Sequence, residues 1–194
     1  MDYIEKEIKL EVKDLLGLIS YLKKNGAKIL NKSKEKTIRL DTSTGSLENR
    51  GVFLRVRSGS KNTITLKEKI GDDKNVRARK ETEFEIQDVE AMAYILKKLG
   101  FDSPRIMEKY RINLTYKGVK LSIDELFFGL YLEIEGAENN IEKVAKKLGF
   151  KPEEKILVTY WDLLEDYNKK NKTKKSDILF TKGYRSKLLN LKTF

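Results

Sequence analysis

Residues 2–10 read D-Y-I-E-K-E-I-K-L. In an extended strand Ile4, Ile8 and Leu10 fall on one side while Glu5, Glu7 and Lys9 fall on the other. The same two-sided pattern returns down the chain. Leu54 and Val56 alternate with Arg55 and Arg57; Ile64 and Leu66 alternate with Thr65, Lys67 and Lys69. Ala78, Phe84 and Ile86 alternate with Arg77, Arg79, Glu81, Glu83 and Glu85. Tyr110, Ile112 and Leu114 oppose Lys109 and Arg111; Val119, Leu121 and Ile123 oppose Lys120 and Asp124; Leu130, Leu132 and Ile134 oppose Tyr131, Glu133 and Glu135. Period-two alternation therefore predicts eight strands, at residues 2–10, 35–41, 52–58, 62–70, 77–87, 105–116, 118–125 and 130–136.

An antiparallel sheet with one wet face gives the same alternation, but the order of the charges argues for more. Neighbours at i and i+2 lie roughly 7 Å apart on one face, and here they repeatedly carry like charge: E-x-E, R-x-R, K-x-K and E-x-E again. A merely solvated face gains by mixing signs. Blocks of like charge are stable when something of opposite sign sits among them: a divalent cation between carboxylates, phosphates between lysines and arginines.

Short links at Gly59-Ser60-Lys61, Gly71-Asp72-Asp73 and Lys117-Gly118 imply antiparallel neighbours, since parallel pairing needs a long crossover. Three helical stretches end alike, at Lys23-Lys24-Asn25-Gly26-Ala27, Lys97-Lys98-Leu99-Gly100-Phe101 and Lys146-Lys147-Leu148-Gly149-Phe150. Lysines suit the negative end of the helix dipole, and glycine supplies the left-handed cap. A last amphipathic helix is expected near 156–169. Eight antiparallel strands are about the number that closes into a small barrel. The expected fold is thus α+β: a closed eight-stranded antiparallel β-barrel whose helices cover the apolar parity, leaving the charged parity inside a water-filled tunnel. Residues 1–168 form this tunnel domain, and 169–194 a basic linker (Lys169–Lys175) and a tail packed on the same domain.

Composition sets further bounds. The 194 residues contain neither Cys nor His, which excludes disulfides, a thiol nucleophile, an imidazole base and a zinc site built on those ligands. Any metal must be held by oxygen, which favours Mg²⁺, Mn²⁺ or Ca²⁺. A net charge of +11 points to an anionic partner. No apolar run reaches transmembrane length and no signal-peptide core opens the chain, so a cytoplasmic location away from membranes is expected.

The motifs, in order, resemble those of the CYTH superfamily, the triphosphate tunnel metalloenzymes. They are E-x-E-x-K (Glu5, Glu7, Lys9), L-R-V-R (Leu54–Arg57), T-L-K-E-K (Thr65–Lys69), R-K-E-T-E (Arg79–Glu83), K-Y-R (Lys109–Arg111), the aspartate of S-I-D-E (Asp124) and L-E-I-E (Leu132–Glu135). Thr159-Tyr160-Trp161-Asp162-Leu163-Leu164 resembles the family's closing helix, and the likeness covers roughly residues 1–165. The resemblance implies a tunnel that binds a triphosphate-containing small molecule with one or two Mg²⁺ or Mn²⁺ ions. Carried over position by position, Glu5, Glu7, Glu133 and Glu135 hold metal, with Asp124 and Glu81 or Glu83 serving a second ion or its waters. Lys9, Arg55, Arg57, Lys67, Lys69, Lys109 and Arg111 grip phosphate oxygens. Arg39 and Arg79 share the inward parity and either join them or balance neighbouring carboxylates. Lys9 and Lys109 are the catalytic candidates, Lys109 by positioning or deprotonating the attacking water, which needs a lowered ammonium pKa. Glu85 and Lys120 read as rim charges, and Trp161 as packing for its helix. The tail offers Lys182, Arg185 and Lys187 as further phosphate contacts if it covers one mouth.

The first expectation is metal-dependent hydrolysis of the terminal phosphate of tripolyphosphate, a nucleoside triphosphate or thiamine triphosphate. The alternative is a class IV-type adenylate cyclase, in which the ribose 3′-hydroxyl of ATP attacks the α-phosphate and pyrophosphate leaves. A non-catalytic binder of polyphosphate or nucleic acid is a third reading. Inward carboxylates would repel a nucleic-acid strand, so nucleic acid is not the expected partner; a second copy of the chain, as a homodimer, is admitted.

Overall fold

The computed structural model describes residues 2–71, 75–189 and 191, so Asp72 and Asp73 of one expected turn lie outside the described residues. Strands β1 (Asp2–Glu11), β2 (Lys28–Asp41), β3 (Val52–Ser58), β4 (Thr63–Lys69), β5 (Arg77–Glu85), β6 (Ser103–Tyr116), β7 (Val119–Leu126) and β8 (Gly129–Glu135) close into one antiparallel barrel in the order β1-β5-β4-β3-β2-β6-β7-β8. Helices α1 (Leu15–Lys24), α2 (Ser46–Asn49), α3 (Val89–Lys98), α4 (Glu138–Lys147) and α5 (Tyr160–Asn171) accompany it. Among the described residues no helix is long and apolar enough to cross a membrane.

Closure runs through β1. Its first half pairs with β5 and its second half with β8, and Glu7 lies at the changeover, opposite both Arg77 and Glu135. The β6–β7 hairpin turns through Lys117 and Gly118 at φ 47° and 78°, the two positive φ angles that a two-residue turn between twisted strands requires. The three K-K endings share one cap. Ala27, Phe101 and Phe150 each donate N–H to a carbonyl five residues back, at Leu22, Leu96 and Ala145, and Gly26, Gly100 and Gly149 take positive φ.

The apolar parity faces outward, under the helices. Ile19 and Leu22 of α1 and Ile141 and Val144 of α4 pack on Ile8, Leu10, Ile112, Leu121, Ile123, Leu132 and Ile134. Val89 and Leu96 of α3 cover Ile38, Leu40, Leu54 and Val56. At one end of the barrel the inward parity itself turns apolar: Phe53, Met107, Leu126 and Tyr131 receive Tyr160, Trp161 and Leu164 of α5, which closes that end. The expected charged tunnel is thus lined by aromatic and aliphatic side chains where α5 enters it. The helix starts at Tyr160 rather than near 156 because Ile156 exchanges backbone hydrogen bonds with Lys9 and the Thr159 side chain caps the first turn. The second strand begins at Lys28, seven residues before the predicted start, and a register irregularity between Ile29 and Asn31 breaks its alternation.

After α5 the chain returns along β6, where Ile178 exchanges backbone bonds with Ile106 and Glu108. Phe180 and Tyr184 then stack beside Tyr110. The next residues surround the buried carboxylate of Glu125 on the outer side of β7. It accepts from the Tyr184 and Ser186 hydroxyls at 2.9 and 2.6 Å and from the Lys187 and Leu188 N–H groups at 2.9 and 3.1 Å. Lys182, Arg185 and Lys187 do not line the lumen. Replacing Glu125 with Ala strands these donors. It is expected to lower unfolding free energy by roughly 3 kcal/mol, measured by urea denaturation against the wild type.

Candidate active site

Strand alternation delivers Tyr3, Glu5, Glu7 and Lys9 to the lumen from β1. Arg55 and Arg57 enter from β3, Lys67 from β4, Arg77, Glu81 and Glu83 from β5, Lys109 and Arg111 from β6, Lys120 from β7, and Glu133 and Glu135 from β8. Together with Phe53, Met107, Thr159, Tyr160 and Trp161 at the closed end, they line a cavity of about 110 Å³. Charges at this depth survive only when paired, and they form two linked clusters. In one, Lys67 Nζ lies 2.5 Å from Glu5 and 2.8 Å from Glu81, while Arg57 and the Thr65 hydroxyl both reach Glu83. In the other, Glu7 holds Lys9 and Arg77, each at 2.9 Å. Lys9 also lies 3.4 Å from Glu133, which accepts from Arg111 at 2.5 Å.

Beneath the second cluster lies Asp124, with no exposed surface. Its oxygens accept from Arg111 Nε and Nη2, both at 2.5 Å, from Lys109 Nζ at 3.1 Å and from the Tyr160 hydroxyl at 2.8 Å. The Tyr160 ring stands 5.3 Å from Lys9 Nζ and 5.6 Å from Lys109 Nζ, within cation–π range. The first turn of α5 is thereby tied to both catalytic candidates.

Proton affinities follow from these neighbours. Burial pushes the Glu7 carboxyl up, but Lys9 and Arg77 outweigh it and bring the pKa to about 2. Glu133 is held well below the carboxylate range, as Arg111, Lys9 and Lys109 overcome its burial. Glu5 moves the other way: burial, with Glu7 and Glu81 beside it, outweighs Lys67. Lys109 is lowered by burial and then by Arg111, against the pull of Asp124 and Glu35.

Of the residues singled out from sequence, Glu5, Glu7, Lys9, Arg55, Arg57, Lys67, Glu81, Glu83, Lys109, Arg111, Glu133 and Glu135 all line the cavity. Arg39, Lys69, Arg79 and Asp124 do not. Arg39 is buried against Glu48 at 3.0 Å, with its guanidinium over the Phe53 ring. Arg79 donates to the Ala78 carbonyl, Lys69 is exposed, and Asp124 is enclosed by its donors. Lys120, read as a rim charge, pairs with Glu135 where both are partly exposed. Trp161 is buried under Arg105 and also reaches the cavity. Arg77, Tyr3, Tyr160 and Glu35 were not singled out. Arg77 and Glu35 carry the inward parity in plain view; nothing in a helical tyrosine declares that its ring enters a lumen.

The acidic donor set suits a hard divalent cation, being carboxylate oxygen throughout. Among the described residues, however, no three acidic side chains gather closely enough to hold a metal ion by themselves. That arrangement fits an ion of the Mg²⁺ type, which keeps several waters and binds through one or two carboxylates plus substrate phosphates.

The CYTH domain family pattern matches residues 3–160. A curated relative, "Putative adenylate cyclase MJ0240" of Methanocaldococcus jannaschii, is 31% identical over 146 residues, 75% of this chain and 83% of that protein. A solved structure from Pyrococcus furiosus, described as a conserved hypothetical protein, superposes with a TM-score of 0.69 at 27% identity over 80% of this chain and 97% of that one. The Hippeastrum protein described as "Putative adenylyl cyclase HpAC1" with a dominant triphosphatase activity superposes at 0.50, with 19% identity over 97% of this chain and 94% of that one.

Glu35 shares the inward parity but lies covered beneath Arg57, Lys109 and Arg111, its side chain 5% exposed. Against its own burial, Lys109, Arg111, Arg57 and Arg55 bring its pKa from 4.5 to about 2. A depressed carboxylate contributes stability that is full above the unfolded pKa and lost as pH falls through the folded one. The contribution is on the order of 3 kcal/mol. Thermal stability is therefore expected to fall between about pH 4.5 and pH 2, and the fall should be shallower in Glu35→Gln; melting curves across that range check it.

Proposed function

The chain belongs to the CYTH domain family, and we propose that it is a divalent-metal-dependent triphosphatase that hydrolyses the terminal phosphate of a compact triphosphate inside its tunnel. The observation that carries this reading is the charge balance of a lumen closed at one end. Lys9, Arg55, Arg57, Lys67, Arg77, Lys109, Arg111 and Lys120 face Glu5, Glu7, Glu81, Glu83, Glu133 and Glu135 across one small cavity. A bare polyphosphate would meet carboxylates wherever it met cations. A polyphosphate accompanied by a divalent cation presents both signs, as the wall does.

In this reading one or two of Glu5, Glu7, Glu133 and Glu135 would hold Mg²⁺ or Mn²⁺ together with the substrate's phosphate oxygens, with Glu81 or Glu83 available to a second ion or its waters. When bound, the cation neutralises charge on the phosphoryl oxygens. Lys9, Arg55, Arg57, Lys67, Arg77 and Arg111 bind and orient the phosphate chain. Lys109, its ammonium held in place by Asp124, orients the attacking water in line with the terminal phosphorus. Asp124 serves beneath them, fixing Lys109, Arg111 and Tyr160.

Cyclase chemistry is the second reading, favoured by the name of the Methanocaldococcus relative. It requires the adenosine to enter far enough for its ribose hydroxyl to reach the α-phosphate. The cavity wall is dominated by charged side chains, which supports a substrate recognised through its phosphates rather than its base. The dominant triphosphatase activity attributed to the Hippeastrum protein supports hydrolysis on this fold.

Incubation with Mg²⁺ or Mn²⁺ and, separately, tripolyphosphate, ATP, GTP and thiamine triphosphate is expected to release orthophosphate. Cyclic AMP with pyrophosphate from ATP would replace hydrolysis by cyclisation. Lys109→Ala is expected to lower kcat by roughly 10²–10⁴-fold, and Glu133→Gln to abolish metal-dependent turnover, with circular dichroism confirming the fold. Undiminished turnover in both variants would contradict the assignment.

A further inference from the structure

Glu35 is the buried carboxylate that the hydrolytic reading leaves without a task. It stands on β2 directly opposite Lys109 of β6, with Thr37 two residues on opposite Arg57 of β3. Its Oε2 lies 3.6 Å from Lys109 Nζ, 3.9 Å from Arg57 Nη1 and 4.0 Å from Arg111 Nε, and accepts no hydrogen bond. Asp124 contrasts with it, taking direct hydrogen bonds from two of the same cations. The stem of Glu35 is seated against Gly59, where a Cβ would come within 3.0 Å of its Cγ.

We infer that Glu35 is a positioning residue that limits how tightly the tunnel holds polyphosphate: a fixed negative charge behind Arg57, Lys109 and Arg111, near enough to orient them and too far to occupy their N–H groups. The inference rests on the proposed polyphosphate site. An unbonded buried carboxylate is costly unless cations surround it, and here three do. Its depressed pKa keeps it ionised at neutral pH, so it accepts no proton from Lys109 and acts through its field. Charge a few ångströms beyond the phosphate contacts opposes anion binding at long range while leaving every donor available. Weaker retention speeds product departure, a step that often limits turnover.

The test is calorimetric binding of a non-hydrolysable tripolyphosphate analogue in the presence of Mg²⁺, followed by steady-state kinetics with tripolyphosphate and the same cation. Glu35→Gln is expected to lower Kd on the order of tenfold, to strengthen inhibition by pyrophosphate in proportion, and to lower KM and kcat together. A merely structural role for Glu35 predicts weaker binding on its loss. If Glu35→Gln does not fold, Arg57→Gln is compared with Arg57→Gln/Glu35→Gln, which removes both partners together; the double variant should bind more tightly than the single one. Wild-type binding with Kd unchanged or raised in the Glu35 variant overturns this inference alone. Wild-type protein that binds no analogue with Mg²⁺ present overturns the site reading, and this inference with it.

Discussion

A carboxylate that water does not reach must find its donors in the protein, and Asp124 draws them from two structural layers. Arg111 and Lys109 come from the adjacent strand of the barrel, and the Tyr160 hydroxyl comes from the helix that closes its end. Because buried charge left without partners is expensive, this one group fixes where two cations point and where α5 starts. On the opposite side of the same strand the next residue, Glu125, is clasped by the segment 184–188. Strand β7 is thus held from both faces by carboxylates one residue apart, and the C-terminal chain steadies the wall that carries the site.

The same constraint explains why the lumen is so evenly balanced. Lys67 bridges Glu5 and Glu81, and Glu7 bridges Lys9 and Arg77. These ion pairs offset within the wall itself charges that burial would otherwise make costly. Nothing in it is a finished metal cage. A ligand carrying both signs can exchange pairs with the wall without leaving a charge stranded, and a ligand of one sign cannot.

Most of this was readable from parity alone. Alternation in Glu5-Lys6-Glu7-Ile8-Lys9 and its counterparts assigns the strands and most of the lumen-facing side chains, because a strand offers only two faces, and the short turns assign the antiparallel links. What resisted reading did so for physical reasons. The early half of β2 runs Lys32-Ser33-Lys34, polar on both faces, next to a register irregularity, so no period showed. Glu35 therefore falls at the edge of the predicted strand 35–41, whereas it stands at the centre of β2. Asp124 shares the inward parity yet never meets the cavity, since Lys109 and Arg111 lie over it; parity gives a face and cannot give depth. Tyr160 was legible as a helix residue but not as a lumen residue, because its direction is set by tertiary packing against Tyr131 and Asp124.

The central claim is that metal and polyphosphate enter this tunnel as one charge-balanced unit. Its most direct test is to titrate Mg²⁺ into the protein calorimetrically with and without a non-hydrolysable tripolyphosphate analogue. The account predicts weak binding of Mg²⁺ alone and binding at least tenfold tighter when the analogue is present, with the reciprocal gain for the analogue that linkage requires. Equal Mg²⁺ affinity in both titrations, once the ion's own affinity for the analogue is subtracted, would contradict it.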